Sequence, residues 1–277
     1  MSRDWGFVTV AFGDSRDLIA EQAARRFSNG GYGEVNYRSV GDSVRAVVRG
    51  RADHALVSVE DSMGTSGAGL LPIVRDNDGV RIVGEVVTDL RASLMTLPGV
   101  DLGKVRTVVG RHEVIEAVAD TLAGLSVELR TTRDVTLEAK LIFERDDRLT
   151  ALLAPAEFAP RLGLVVAREN VAQRQRHWVR HWVFGTGETT VPGTRSCLLL
   201  GPVHGPRTLK TFKSELQSRG ASRVRIADRR GSEGEEFLVE FDHPPGVGEA
   251  ILKASVRFCR YRFLGTWNTD LDVAQVA

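Results

Sequence analysis

The densest chemistry in the chain lies in His177-Trp178-Val179-Arg180-His181-Trp182-Val183-Phe184. Imidazoles titrate near neutral pH, so two of them flanking one position could act as acid and base. In extended backbone, side chains alternate between faces, which puts His177, Val179 and His181 on one side. In a helix the same two histidines would stand one turn apart and could grip a metal. No glutamate follows the first histidine, however, and no third ligand is evident. The Trp-Val-Arg-His-Trp-Val-Phe alternation favours a strand, so neither a metal nor a cofactor is expected. The competing reading is that the histidines fill space beside Trp178 and Trp182.

Three other places carry usable groups. Arg111 and Arg180 could hold carboxylates, since guanidinium pairs bidentately with them; otherwise each is an ordinary surface ion pair. Glu60-Asp61-Ser62 follows the apolar strand Ala55 to Val59, where α/β clefts place ligand groups; the alternative is a helix cap over Met63 to Gly69. Glu113 reads either as a site acid or as the first turn of the helix after it. Gly64 to Gly69 lacks the G-x-G-x-x-G pattern, which argues against a dinucleotide or phosphate loop.

The 277 residues are 42% hydrophobic and 26% charged, an ordinary globular balance. Lys and Arg number 37 against 36 Asp and Glu, for a net charge of +1. That evenness removes the electrostatic reason to expect nucleic acid or an anionic membrane as partner. The longest apolar runs are too short to span a bilayer, and residues 1–12 lack the apolar core of a secretory signal. Cys197 and Cys259 make neither a disulfide framework nor a zinc cluster. A cytoplasmic protein is expected.

Short apolar strands alternate with helical stripes: Gly6–Phe12 then Leu18–Phe27, Val40–Val48 then Ala55–Val59, Val105–Val109 then Val114–Leu122. This is the signature of an α/β fold with mostly parallel sheet. Asp14–Asp17 reads as a turn and helix start, and Gly185–Gly193 as a linker. Beyond the linker the order becomes strand, helix, strand, strand, helix, strand, with a turn at Gly231–Gly234. That βαββαβ unit is ferredoxin-like and of small-domain size. The last ten residues read as a loose tail.

Several of these segments, in order, resemble prephenate dehydratase with its C-terminal regulatory ACT domain. Ala52 to Ser62 resembles that family's ADYGVVPIENS, and Gly84-Glu85 its GE. Val109 to Glu113 stands where the family has VxSHPQAL. Thr136-Leu137-Glu138-Ala139 resembles STAEAA, Leu162-Gly163-Leu164 stands for YGL, and Val179-Arg180-His181 for TRF. The resemblance implies a type-II periplasmic-binding-protein plan over residues 1–188, with lobes of about 5–84 plus 166–188 and of 88–163. An ACT-like regulatory and dimerisation domain over 194–268 would follow.

The implied activity is a lyase of phenylalanine biosynthesis. It would act on prephenate or a related cyclohexadienyl acid and remove carboxylate with or without water. The implied catalytic set is His177, His181, Glu60 and Asp61, with Arg180, Arg111, Ser62, Glu113, Val179 and Thr136 against the substrate. Val179 replaces the family's threonine, which helps the ring hydroxyl leave, and valine has no proton to give. The family's early glycine loop becomes Asp14-Ser15-Arg16-Asp17-Leu18-Ile19. A decarboxylase that keeps the hydroxyl, or a silent ligand-binding regulator, are the alternatives. Gly205, Leu209 and Arg229 are what persists of the family's aromatic amino-acid effector site. A homodimer or homotetramer is implied.

Overall fold

The computed structural model describes residues 8–13, 18–29, 31–62, 69–89, 91–171, 178–187, 193–203, 206–230, 235–246, 248–255 and 260–269. His177, Gly205, Asp14–Asp17, Met63–Ala68, Gly231–Gly234, Cys259 and the final eight residues lie outside them, as does most of the expected linker.

Three sheets organise the chain. The first has the order β2 (Tyr32–Tyr37), β1 (Val8–Gly13), β3 (His54–Asp61), β10 (Trp178–Gly185), β4 (Arg81–Asp89). The second has the order β7 (Glu128–Thr131), β6 (Thr107–Gly110), β8 (Thr150–Ala154), β5 (Ser93–Thr96), β9 (Val165–Arg168). In both, the first three strands are parallel and the fourth runs against them. Each antiparallel fourth strand arrives from the other lobe, because the chain crosses between β4 and β5 and again between β9 and β10. These crossings make the two-lobed plan that the family resemblance implies.

One boundary differs from expectation. Residues 165–168 form β9 and pair with β5 in the second lobe, not in the first. β2 had no counterpart in the sequence reading, since Tyr-Gly-Glu-Val-Asn-Tyr is a half-polar edge strand without an apolar run.

Helices cover the sheets where their stripes demand it. α1 (Leu18–Phe27) and α2 (Val40–Val48) lie in the first lobe, with the short α3 (Leu70–Arg75). Ser39 caps α2, its Oγ accepting from the Asp42 amide at 3.1 Å, and Val44 and Val47 are its buried stripe. In the second lobe are α4 (His112–Leu122) and α5 (Val135–Glu144), the latter capped by Asp134, which accepts from the Leu137 amide at 2.9 Å.

The third sheet is antiparallel, in the order β12 (Ser222–Arg230), β13 (Glu235–Asp242), β11 (Arg195–Val203), β14 (Tyr261–Trp267). With α6 (Pro206–Ser218) and α7 (Gly248–Ser255) it has the βαββαβ topology. Its two faces are divided by the strand alternation. Leu198, Leu200, Phe237, Val239 and Phe241 form one core with Phe212, Leu216 and Leu252 of the helices. Cys197, Leu238, Leu264 and Trp267 turn the other way and join Val57, Val59, Trp182 and Phe184 of the first lobe. The sheet is therefore sandwiched between its own helices and the first lobe. Among the described residues no helix is long and apolar enough to cross a membrane.

Gly265 sets how closely the third sheet approaches. Its φ is +148°, and an added Cβ would sit 2.2 Å from the Ile82 carbonyl oxygen of β4. Gly265→Ala would therefore combine a strained backbone with a clash against main chain. It should lower stability in urea unfolding by at least about 2 kcal/mol, while Gly124→Ala, which meets nothing, leaves it near the parent value.

Candidate active site at the junction of the two lobes

The parallel strands β1 and β3 end at Gly13 and Asp61, and β6 and β8 at Gly110 and Ala154. Ligand groups of such sheets gather at these carboxyl ends. Asp61 stands opposite Val179, and Ser58 opposite His181, on the β3–β10 ladder. Ser58 lies on a central strand yet is exposed. His181 lies within the same region, fully buried. Ser62 closes the ladder: its amide donates to the Trp178 carbonyl at 3.0 Å, and its hydroxyl accepts from the Trp178 amide at 3.2 Å.

Across the junction, Arg111 precedes the first turn of α4. Its Nε donates to Glu113 Oε1 at 2.5 Å, so these two candidates form a pair with each other. Thr136 is half-buried in the first turn of α5.

Val179 is 7% exposed and belongs to one apolar cluster with Ile19 of α1 and with Leu94, Val114, Ile115 and Val171 of the second lobe. Leu18 joins the second lobe's other cluster, with Met95, Val109, Leu152 and Phe158. Polar contacts flank this seam. Gln22 donates to Glu157 at 2.8 Å, Arg161 pairs with the largely buried Glu21 at 2.5 Å, and the Arg161 guanidinium lies over the Phe158 ring. The lobes thus meet through hydrocarbon at the very positions where the family resemblance puts the loop threonine and the TRF threonine.

Two expected site residues face elsewhere. Arg180 is 2% exposed and points to the third sheet, donating to Glu85 at 2.9 Å and to Glu240 at 2.7 and 3.1 Å. It is not placed to hold a substrate carboxylate. Glu60 does not face the lobe junction either: it pairs with Arg180 at 3.2 Å and with Arg225 of β12 at 2.7 Å. The cause is a β-bulge. Between the Ser58–His181 and Glu60–Arg180 pairs β3 carries one extra residue, Val59, so Val59 and Glu60 both turn toward the third sheet.

These contacts belong to a larger buried network that sequence reasoning missed. Arg195 of β11 donates to Glu85 at 3.2 Å and bidentately to Asp242 at 2.6 and 3.1 Å. Arg225 also reaches Glu240, at 2.8 Å, and the Trp267 indole N–H donates to Glu85 at 3.3 Å. The available signal was Glu240 itself, a charge inside the apolar run Phe237-Leu238-Val239-Glu240-Phe241. Burial pushes the Glu85 carboxyl up to about 7, against the pull of the Arg195 charge. Burial raises Glu240 as well. Arg195 is held above its ordinary value: burial lowers it, but the bond to Asp242 and the charges of Glu85 and Glu240 prevail.

In the third sheet, Leu209 is packed against the core of that domain. Arg229 lies on β12.

Residues 19–189 match the family model for prephenate dehydratase. The chain belongs to the prephenate dehydratase family. It is 27% identical over 254 residues to a prephenate dehydratase of Mycolicibacterium smegmatis, covering 87% of this chain and 80% of that one. It is likewise 27% identical over 275 residues to one of Amycolatopsis methanolica, covering 93% and 88%. Among solved structures, a quorum-quenching acylase superposes with a TM-score of 0.83 at 20% identity, over 96% of this chain and 99% of that one. Prephenate dehydratase from Arthrobacter aurescens, in complex with L-Phe, superposes at 0.79 and 17% identity, over 97% of each. At these identities the superpositions establish the shared fold.

Two outcomes follow from the network. Arg180→Met strands Glu85 and Glu240 and should cost about 3–5 kcal/mol in chemical unfolding. A substrate-holding arginine would instead leave stability intact. The second concerns pH. The folded chain holds the Glu85 proton more tightly than the unfolded chain does. Its contribution is therefore fully present below the ordinary carboxylate range and is lost as pH rises through about 7. Relative to Glu85→Gln, the parent should lose about 3 kcal/mol between about pH 5 and 8 in denaturant titrations. A constant difference contradicts the assignment.

Proposed function

We propose that the protein is a lyase acting on prephenate or a closely related cyclohexadienyl acid at the junction of its lobes, and that it removes the ring carboxylate while the ring hydroxyl stays. The observation that carries this reading is Val179, sealed in apolar contact where the family resemblance calls for a hydroxyl. When carbon dioxide leaves the ring carbon, its bonding electron pair stays in the diene. The pair either expels the hydroxyl, which needs a proton on oxygen, or takes a proton on a ring carbon. Valine supplies no proton, and general acid help of this kind is worth roughly 10²–10⁴-fold.

The second route needs a proton donor beside the diene, and His181, two residues beyond Val179 on the same strand, supports it. Arg111 suits the pyruvyl carboxylate, with Glu113 positioning its guanidinium at 2.5 Å. Asp61 opposite Val179 suits a hydroxyl rather than an anion. His177 belongs to the same proposed acid/base set. The βαββαβ unit is read as an ACT domain, and its edge strand β12, with Ile226 exposed, suits side-by-side dimerisation. An aromatic amino-acid effector is part of the same reading.

A second reading, a regulator that holds the acid without turning it over, is favoured by the commitment of Arg180 and Glu60 to ion pairs on the third-sheet side of β10. Incubation with prephenate separates the readings. The proposal expects carbon dioxide with a hydroxyl-retaining product. Phenylpyruvate as the main product contradicts it, and saturable binding without product supports the regulator. In the same assay Val179→Thr should raise phenylpyruvate formation by roughly tenfold or more, measured by its absorbance in alkali. No change with the variant folded would show that the hydroxyl route is not limited at this position.

A further inference from the structure

At the end of the third sheet where β11 and β12 begin and β13 finishes lies a pocket of about 500 Å³, a volume suited to a small ligand. Arg195, Asp242, His243, Arg223, Ser222 and Thr269 are among its lining residues. Its back wall is built of buried polar groups. His243 is 6% exposed and fixed at both ring nitrogens, by Ser196 Oγ at 2.8 Å and by the Pro244 carbonyl at 2.8 Å. Donation from Nδ1 to that carbonyl leaves Nε2 to accept from the serine hydroxyl.

The charges in the wall are unequal in their commitments. Both Asp242 oxygens are taken by Arg195. Arg223 comes no closer to Asp242 than 4.0 Å, and its side chain is 53% exposed. Among the described residues Arg223 is thus held only by a long, solvent-exposed ion pair with Asp242, and its guanidinium keeps donors for a further acceptor. Its backbone shows why it stands there. The β12–β13 register shifts between Ser222 and Arg225, and Arg223 has φ +44°, in the left-handed region that favours glycine. Non-glycine backbone of this kind is costly and persists because the surrounding structure imposes it.

We propose that this pocket binds a small anion, a carboxylate or a phosphate ester, through Arg223 with the hydroxyls of Ser222 and Thr269 beside it. The site is independent of the crevice between the lobes, though it shares Arg195 with the network behind β10.

The test is thermal unfolding of the full chain in inorganic phosphate or succinate, at ionic strength matched with chloride. At a hundredfold excess over Kd, at least one anion should raise Tm by roughly 5 °C, saturably. Response to phosphate alone assigns a phosphate ester, and response to succinate alone a carboxylate. Arg223→Gly, which relieves the backbone, should keep or raise Tm in chloride and lose the response. Neither anion exceeding chloride, or a variant that responds like the parent, overturns the proposal. So does a variant whose Tm in chloride falls, because Arg223 would then serve the fold.

Discussion

The placement of Arg180 governs the rest of this molecule. A guanidinium this deeply buried is tolerable only with carboxylates around it, and the carboxylates come from two bodies: Glu60 and Glu85 from the first lobe, Glu240 from the third sheet. Removing Arg180 would leave the buried carboxylates Glu85 and Glu240 short of a counter-charge. Two things follow. The third sheet is held face-on against the first lobe, with Arg195 and Arg225 extending the grip. And β10 is fixed in rotation: with Arg180 turned toward the third sheet, Val179 and His181 turn to the opposite face, where Val179 meets the second lobe.

That rotation explains why a charged strand presents hydrocarbon to the junction. Leu18 and Ile19 of α1 and Val179 of β10 all end in apolar clusters of the second lobe. A scaffold of the prephenate dehydratase family is thus combined with a dry seam at the positions where the family resemblance implies hydroxyls. On the proposed reading, a proton for a leaving oxygen would lack its donor there, whereas a proton delivered to carbon would not need one at this position.

Periodicity made most of this architecture legible. Trp178–Gly185 alternates and is a strand, and the change of rhythm after the Gly185–Gly193 stretch marks the third sheet. β2 escaped because an edge strand need not be apolar. Glu60 was misplaced because one extra residue, Val59, turns the end of β3 over, and no local pattern announces a bulge. Arg180 was misplaced for a different reason. Its partners lie 95 and 60 residues away in sequence, so a guanidinium suited to a carboxylate ligand and one committed to protein carboxylates look alike until the sheets are assembled. The pairing of Arg111 with Glu113, two residues apart, was within reach of local spacing, and Glu113 does stand in the first turn of α4.

The most direct measurement is a crystal structure of the chain with a non-reacting cyclohexadienyl or aryl-pyruvate acid bound. The account predicts the ring against Val179 between the lobes, with Arg180 still bonded to Glu85 and Glu240. A ligand carboxylate resting on Arg180, or a ligand lodged away from β10, would contradict it.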